Sequence, residues 1–150
     1  ISPEAELLLL FSARRQHIEE VIKPQLAKGK WILCDRFIDA SIAYQGYGKK
    51  VNIKKIDLLI SNFTENILPD LTIFFDLPYD LAKKRFPKSK KKDRFETLDD
   101  HFFNDVYKGY LKQVNKNKKR IKKIDANKTK SEVRDQIICE ISKCFKEFKL

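Results

Sequence analysis

The chain has 150 residues, 42% of them hydrophobic, with 32 Lys and Arg against 21 Asp and Glu. This length predicts one domain that buries roughly 68–70% of its unfolded surface, and the apolar fraction excludes a disordered chain. No apolar run approaches the roughly 18 residues of a membrane span, and the acidic, proline-containing start is unlike a signal peptide.

The net charge of +11 calls for a polyanionic partner: nucleic acid, a membrane surface or nucleotide phosphates. Cys34, Cys139 and Cys144 form no CxxC pair and lie in apolar patterns, which predicts buried, reduced thiols in a cytoplasmic protein. Methionine is absent, only four glycines are present, and neither GxGxxG nor GxxxxGK[ST] can be written anywhere. The chain therefore reads as a piece whose N-terminal part lies outside these residues.

Ser2-Pro3-Glu4 opens a helix with an N-cap hydroxyl, proline at the first helical position and an acid facing the dipole. The apolar pattern carries that helix to Gly29, with a kink or restart at Pro24. Phe11 and Arg15, four apart, share a face, where an aromatic plane and a forked donor can stack on and edge-read a flat heterocycle. The plainer alternative is a core phenylalanine under a snorkelling arginine.

Trp31-Ile32-Leu33-Cys34 reads as a short strand buried on both faces, with Asp35-Arg36 just past its carboxyl end. Parallel strands deliver ligand-binding groups at that place. A carboxylate there can hold a hydrated metal ion, and a guanidinium fits a phosphate. A strand-end salt bridge is the alternative.

Residues 37–48 suit a loop or short helix lining a pocket, and Val51 to Ile67 an amphipathic helix broken by Pro69-Asp70. Leu71 to Asp76 is a second buried strand. The helix starting at Tyr79 dissolves beyond Phe86 into a segment where Lys83, Lys84, Arg85, Lys88, Lys90, Lys91, Lys92 and Arg94 face Asp93 alone. Like charges at that density repel, so the segment is expected to be mobile until an anion arrives. Thr97 or Asp99 caps a long helix, Ile121 and Ile124 mark a third strand ended by Asp125-Ala126-Asn127, and a last amphipathic helix starts near Ser131. Strands alternating with helices predict an α/β fold with a parallel sheet.

Taken together, Leu10-Phe11-Ser12-Ala13-Arg14-Arg15, Asp35-Arg36-Phe37 and Ser41-Ile42-Ala43-Tyr44-Gln45-Gly46 closely resemble the thymidylate kinase family. Pro69-Asp70-Leu71, Phe75-Asp76, Lys84-Arg85, Asp93-Arg94-Phe95-Glu96 and Ile124-Asp125-Ala126 continue the series in order over the whole chain. The resemblance implies a P-loop NTPase-like three-layer α/β fold with helices on both faces of a parallel sheet, incomplete here. The family's phosphate-binding loop and first strands would lie before Ile1.

It also implies transfer of the γ-phosphoryl group of ATP to dTMP with Mg²⁺, by a cytoplasmic homodimer with no membrane and no specific nucleic acid as partner. Phe11 would stack on thymine, Arg15 would donate to its carbonyl edge, and Ser41 and Gln45 would add base contacts. Tyr44 would crowd the sugar, Arg36 would grip the dTMP phosphate, and Asp35 would help hold the hydrated magnesium. Phe95 would flank the deoxyribose, with Glu96 near the phosphate. Arg85 would lie against adenine, Asp125 and Ala126 would edge its pocket, and residues 84–95 would form the closing lid. There Lys88, Lys90 or Lys91 would stand where such lids carry arginine. A single kinase domain over 1–150, inactive by itself for want of the phosphate-binding loop, is the expectation. A deoxynucleoside kinase and a basic nucleic-acid-binding domain are the rivals.

Overall fold

A computed structural model describes residues 1–85 and 100–145. It divides into two compact units, residues 1–68 and 69–150.

The first unit is helical. Helix α1 spans Pro3–His17, and Ser2 Oγ accepts the Ala5 N–H at 3.2 Å, as its N-cap position predicts. A π-helical stretch, Ile18–Ile22, follows before α2, Lys23–Leu26. Pro24 is the reason: it has no N–H for the Glu20 carbonyl, and the chain widens by one residue so that the Lys23 N–H reaches Ile18 O. Gly29, at φ +67°, ends the rod as predicted.

Helix α3, Ile38–Ser41, runs into a second π-helical stretch, Ile42–Gly48, and Asn52 caps α4, Ile53–Phe63. Leu7 and Phe11 of α1 pack with Ile42, Val51 and Ile56 as the core of this unit. Gly46 permits the approach of α4, since a Cβ there would lie 2.4 Å from Ile53 Cδ1 and 3.2 Å from Ile56 Cδ1. A network of Arg15, Glu19, Lys23 and Glu65 fastens the rod to the turn after α4. Leu8 and Leu9 of α1 and Leu58 of α4 stay exposed in this unit.

Residues Trp31 to Arg36 do not form the expected buried strand. They carry no ladder, and Trp31 and Leu33 are 64% and 103% exposed. A strand exists through its neighbour's hydrogen bonds, and no strand among the described residues of this unit lies beside it. Cys34 is exposed for the same reason, and Cys139 and Cys144 are exposed on the last helix, so the expectation of buried thiols fails for all three.

The second unit is built on a parallel pair, β1 (Thr72–Asp76) and β2 (Ile121–Asp125), in register from Thr72 beside Ile121 to Asp76 beside Asp125. Between them come α5 (Tyr79–Lys83) and α6 (Asp100–Lys116), the crossover that parallel pairing requires. Tyr110 of α6 stacks on Phe74 of β1 at 5.1 Å, and Phe103 stacks on Tyr79 at 4.8 Å. Helix α7, Lys130–Cys144, starts with a reciprocal capping box between Thr129 and Glu132. The pair is covered less fully than predicted: Ile121 and Ile124 are buried, whereas Phe75 is 53% exposed.

Two stability predictions follow from these contacts. Gly46→Ala requires the Ile53 side-chain end to move and presses on that of Ile56, and is expected to cost about 1 kcal/mol in chemical denaturation, the low end for overpacking. The bond from Lys23, then that from Arg15, pulls the Glu65 carboxyl from its ordinary 4.5 down to about 2. A depressed carboxylate contributes stability that is fully present above pH 4.5 and lost as pH falls toward 2. Melting curves of Glu65→Gln should therefore converge on the wild type between those values and lie below it at neutral pH.

Candidate functional site

The buried stripe of the rod is Leu7, Phe11, Ile18 and Ile22. Position 14, seven from Leu7 and four from Ile18, lies on that stripe, and position 15 lies beside it. Arg14 is accordingly the guanidinium that turns inward. Its Nη2 donates to Ser41 Oγ at 3.0 Å and to Phe37 O at 3.2 Å, and its Cζ lies 4.6 Å from the centre of the Phe11 ring and 5.3 Å from that of Phe37. Burial lowers its pKa from the ordinary value, with Cys34 opposing. Nη1 is buried and, among the described residues, has no hydrogen-bond partner.

Arg15, the residue expected to read the base, points elsewhere. It pairs with Glu19 and Glu65 on the outside of the rod. Phe11 is 2% exposed in the core of this unit with the Arg14 guanidinium over its ring, an arrangement that matches the plainer alternative of a core phenylalanine under an arginine. Ser41 and Gln45 are buried beside this cluster on the α3 segment, one turn apart. Gln45 Nε2 donates to Glu6 Oε1 of α1 at 3.0 Å.

Asp35 and Arg36 stand exposed at the entry to α3. Arg36 is held at φ +62°, an uncommon backbone conformation for a residue with a Cβ, and such strain gathers at functional sites. Its Cζ sits 5.2 Å from the centre of the Tyr44 ring, a cation–π distance. No group of three His, Cys, Asp or Glu side chains suited to a metal gathers among the described residues. The lone Asp35 carboxylate fits Mg²⁺ all the same, because that ion keeps several waters and draws its other ligands from substrate phosphates.

In the second unit, the carboxyl ends of β1 and β2 bring three expected residues together. Arg85 Nη1 donates to Ala126 O at 3.0 Å, and Nη2 to Asn127 Oδ1 at 3.3 Å. Asp125 Oδ1 accepts the Asn127 N–H at 2.9 Å and so shapes that turn. Beside it, Asp76 accepts from the Tyr107 hydroxyl at 2.7 Å and pairs with Lys123 at 3.0 Å. Burial, then the bond to Asp76, pushes the Tyr107 phenol up to about 12. Lys88, Lys90, Lys91, Phe95 and Glu96 lie outside the described residues, as does most of the expected lid.

Arg14, Glu6 and Asn127, which contact the expected site residues, and Phe37, which contacts Arg14, were not among them. The stripe at 7, 11, 18 and 22 was the available signal for Arg14; nothing local marks Glu6, whose partners lie 39 and 43 residues away.

The model of the family described as "Thymidylate kinase" matches residues 1–137. The thymidylate kinase of Psychrobacter sp. (strain PRwf-1) is 42% identical over 146 residues, covering 95% of this chain and 70% of that protein. That of Kosmotoga olearia is 40% identical over 145 residues, covering 97% and 70%. Among solved structures, thymidylate kinase from Ehrlichia chaffeensis superimposes with a TM-score of 0.69 at 30% identity, covering 91% of this chain and 64% of that one. The helix-rich units with their small parallel sheet are thus parts of a P-loop NTPase-like α/β fold. With a family match over most of its length and relatives this similar, the chain belongs to the thymidylate kinase family, nucleoside monophosphate kinases that transfer a phosphoryl group to dTMP.

Proposed function

We propose that the Phe11–Arg14–Ser41 cluster binds the thymine of dTMP and that the Arg85–Ala126 turn takes the adenine of ATP, for transfer of the γ-phosphoryl group to the dTMP phosphate. The observation that carries this reading is the buried Nη1 of Arg14 without a partner. A desolvated donor that lacks an acceptor costs free energy in the empty protein, and a carbonyl on a flat base placed beside Phe11 removes that cost. Arg14 takes the role that the motif assigned to Arg15.

Around this anchor Ser41 and Gln45 contact the base, and Tyr44 crowds the 2′ side of the sugar. Arg36 grips the dTMP phosphate, and its strained backbone aims the guanidinium without further reorganisation. Arg85 and the Asp125-Ala126 turn hold adenine; Phe95, Glu96, Lys88, Lys90 and Lys91, outside the described residues, keep the roles that the family motifs imply. Asp35 holds Mg²⁺ through water, and the ion, when bound, offsets the charge of the phosphates. Phosphoryl transfer demands alignment and charge neutralisation more than covalent help, which is what this set of side chains provides. Both units belong to one kinase domain of a cytoplasmic enzyme. No GxxxxGK[ST] occurs in the 150 residues, so dTMP binding is the activity expected of this chain alone.

The chain pairs with a second copy through the exposed leucines of α1 and α4, where Leu7, Leu8, Leu58, Leu59 and Phe63 line a groove. No helix of the described residues is long and apolar enough to cross a membrane.

Two measurements test this reading. Calorimetry should show dTMP bound in preference to thymidine, and Arg36→Gly should weaken dTMP binding about ten- to a hundredfold, as expected for a bond worth about 1.5–3 kcal/mol. Its melting temperature should not fall, because glycine adopts φ +62° freely. Equal binding of dTMP and thymidine favours the deoxynucleoside kinase alternative. In sedimentation, Leu8→Asp with Leu58→Asp should convert a dimer to a monomer; a wild-type monomer refutes the pairing.

A further inference from the structure

The wall of the pyrimidine site, Phe37 to Lys49, is an unusual piece of backbone. Four α-helical residues give way to seven in π-helical winding, a form that is rare and mostly confined to single turns within α-helices. Helix α1 holds it at both ends. At the start, Arg14 binds Phe37 O and Ser41 Oγ. Toward the end, Glu6 divides its carboxylate, Oε1 accepting from Gln45 Nε2 at 3.0 Å and Oε2 from Lys49 Nζ at 2.5 Å. The Lys49 N–H in turn donates to Tyr44 O, and the Val51 N–H to Gln45 O, each at 2.9 Å. Glu6 thus grips Gln45 and Lys49, on either side of Gly46-Tyr47-Gly48.

The chemistry of the pair goes further. A carboxylate only accepts, so the carboxamide facing Glu6 must present its NH₂. Gln45 is 6% exposed, and its Oε1 has no hydrogen-bond partner among the described residues. With one N–H committed to Glu6, it retains its second N–H and its oxygen, and the bond to Glu6 fixes which end of the carboxamide the oxygen occupies.

We propose that Glu6 is a positioning residue for base selection: it locks the Gln45 carboxamide so that its oxygen, with the Arg14 donor, matches the imide edge of thymine. This rests on the dTMP reading above. Thymine offers a carbonyl beside an N–H, which complements a donor next to an acceptor. Cytosine offers an amino group beside an unprotonated ring nitrogen, which leaves both protein groups facing their own kind. Freed from Glu6, Gln45 rotates and tolerates either base.

The test compares dTMP and dCMP binding to the 150-residue chain by calorimetry. In Glu6→Gln the preference for dTMP over dCMP is expected to fall about tenfold. Lys49→Met, which removes the ion pair and leaves the Glu6–Gln45 bond, should lower the melting temperature and keep the preference within about twofold. Without nucleotide, the Gln45 side-chain amide signals in a ¹⁵N correlation spectrum should move in Glu6→Gln and hold in Lys49→Met. Should Glu6→Gln not fold, Gln45→Leu, which deletes the acceptor at similar volume, carries the same expected loss. A preference that survives in Glu6→Gln or in Gln45→Leu, or one that falls equally in Lys49→Met, overturns the inference. A wild-type chain that binds no dTMP overturns the dTMP reading first and this with it.

Discussion

A guanidinium taken out of water organises the first unit. Arg14 lies on the same helical stripe as Leu7, Phe11, Ile18 and Ile22, a row that otherwise buries only hydrocarbon. Placing a charge there is costly unless its donors are met. Two of the bonds that meet them come from the start of the α3 segment, and the Phe11 and Phe37 rings supply cation–π contact. The remaining nitrogen is buried and has no hydrogen-bond partner among the described residues, which is the observation the proposed base contact rests on.

The same economy recurs at the strand ends. In the second unit, β1 and β2 finish on a paired Asp76 and Asp125, and the chain turns immediately at Ala126-Asn127. Main-chain groups past the last ladder bond have no sheet partner, and Arg85 uses one of them, Ala126 O, as an anchor. The guanidinium is fixed by the turn it helps to shape. In the first unit Arg36 is placed by backbone strain at φ +62° and by the Tyr44 ring. Buried clamp, strand-end anchor and strained loop are three ways of ordering a flexible side chain, and ordering in advance lowers the entropy that any later contact would cost.

Helix ends were readable because capping is local. Ser2 with Pro3 and Gly29 after the rod act through groups within a few residues of themselves, and so did the break at Pro24, although its π-helical form was not foreseen. Phe11 and Ser41 lie near each other in the first unit through their contacts with Arg14, and Arg85 bonds Ala126 O in the second, contacts that no local pattern announces. The choice between Arg14 and Arg15 was not legible from their distance to Phe11, since positions three and four along a helix both neighbour a given residue. Only the continuation of the buried row into the π-helical stretch decides it.

What the amino-acid order determined by itself was therefore what acts through near neighbours: the helix starts and stops at Ser2 and Gly29, the break at Pro24, the basic character of residues 83–94 and the family motifs. Tertiary structure decided which of two adjacent arginines is buried, how Glu6 orients a carboxamide 39 residues away, and that Trp31 to Arg36 stays exposed. The reason is the same in all three cases. Burial, hydrogen-bond partnership and strand pairing are properties of what lies across the gap, and a chain read along its own length carries no record of its distance from what it faces.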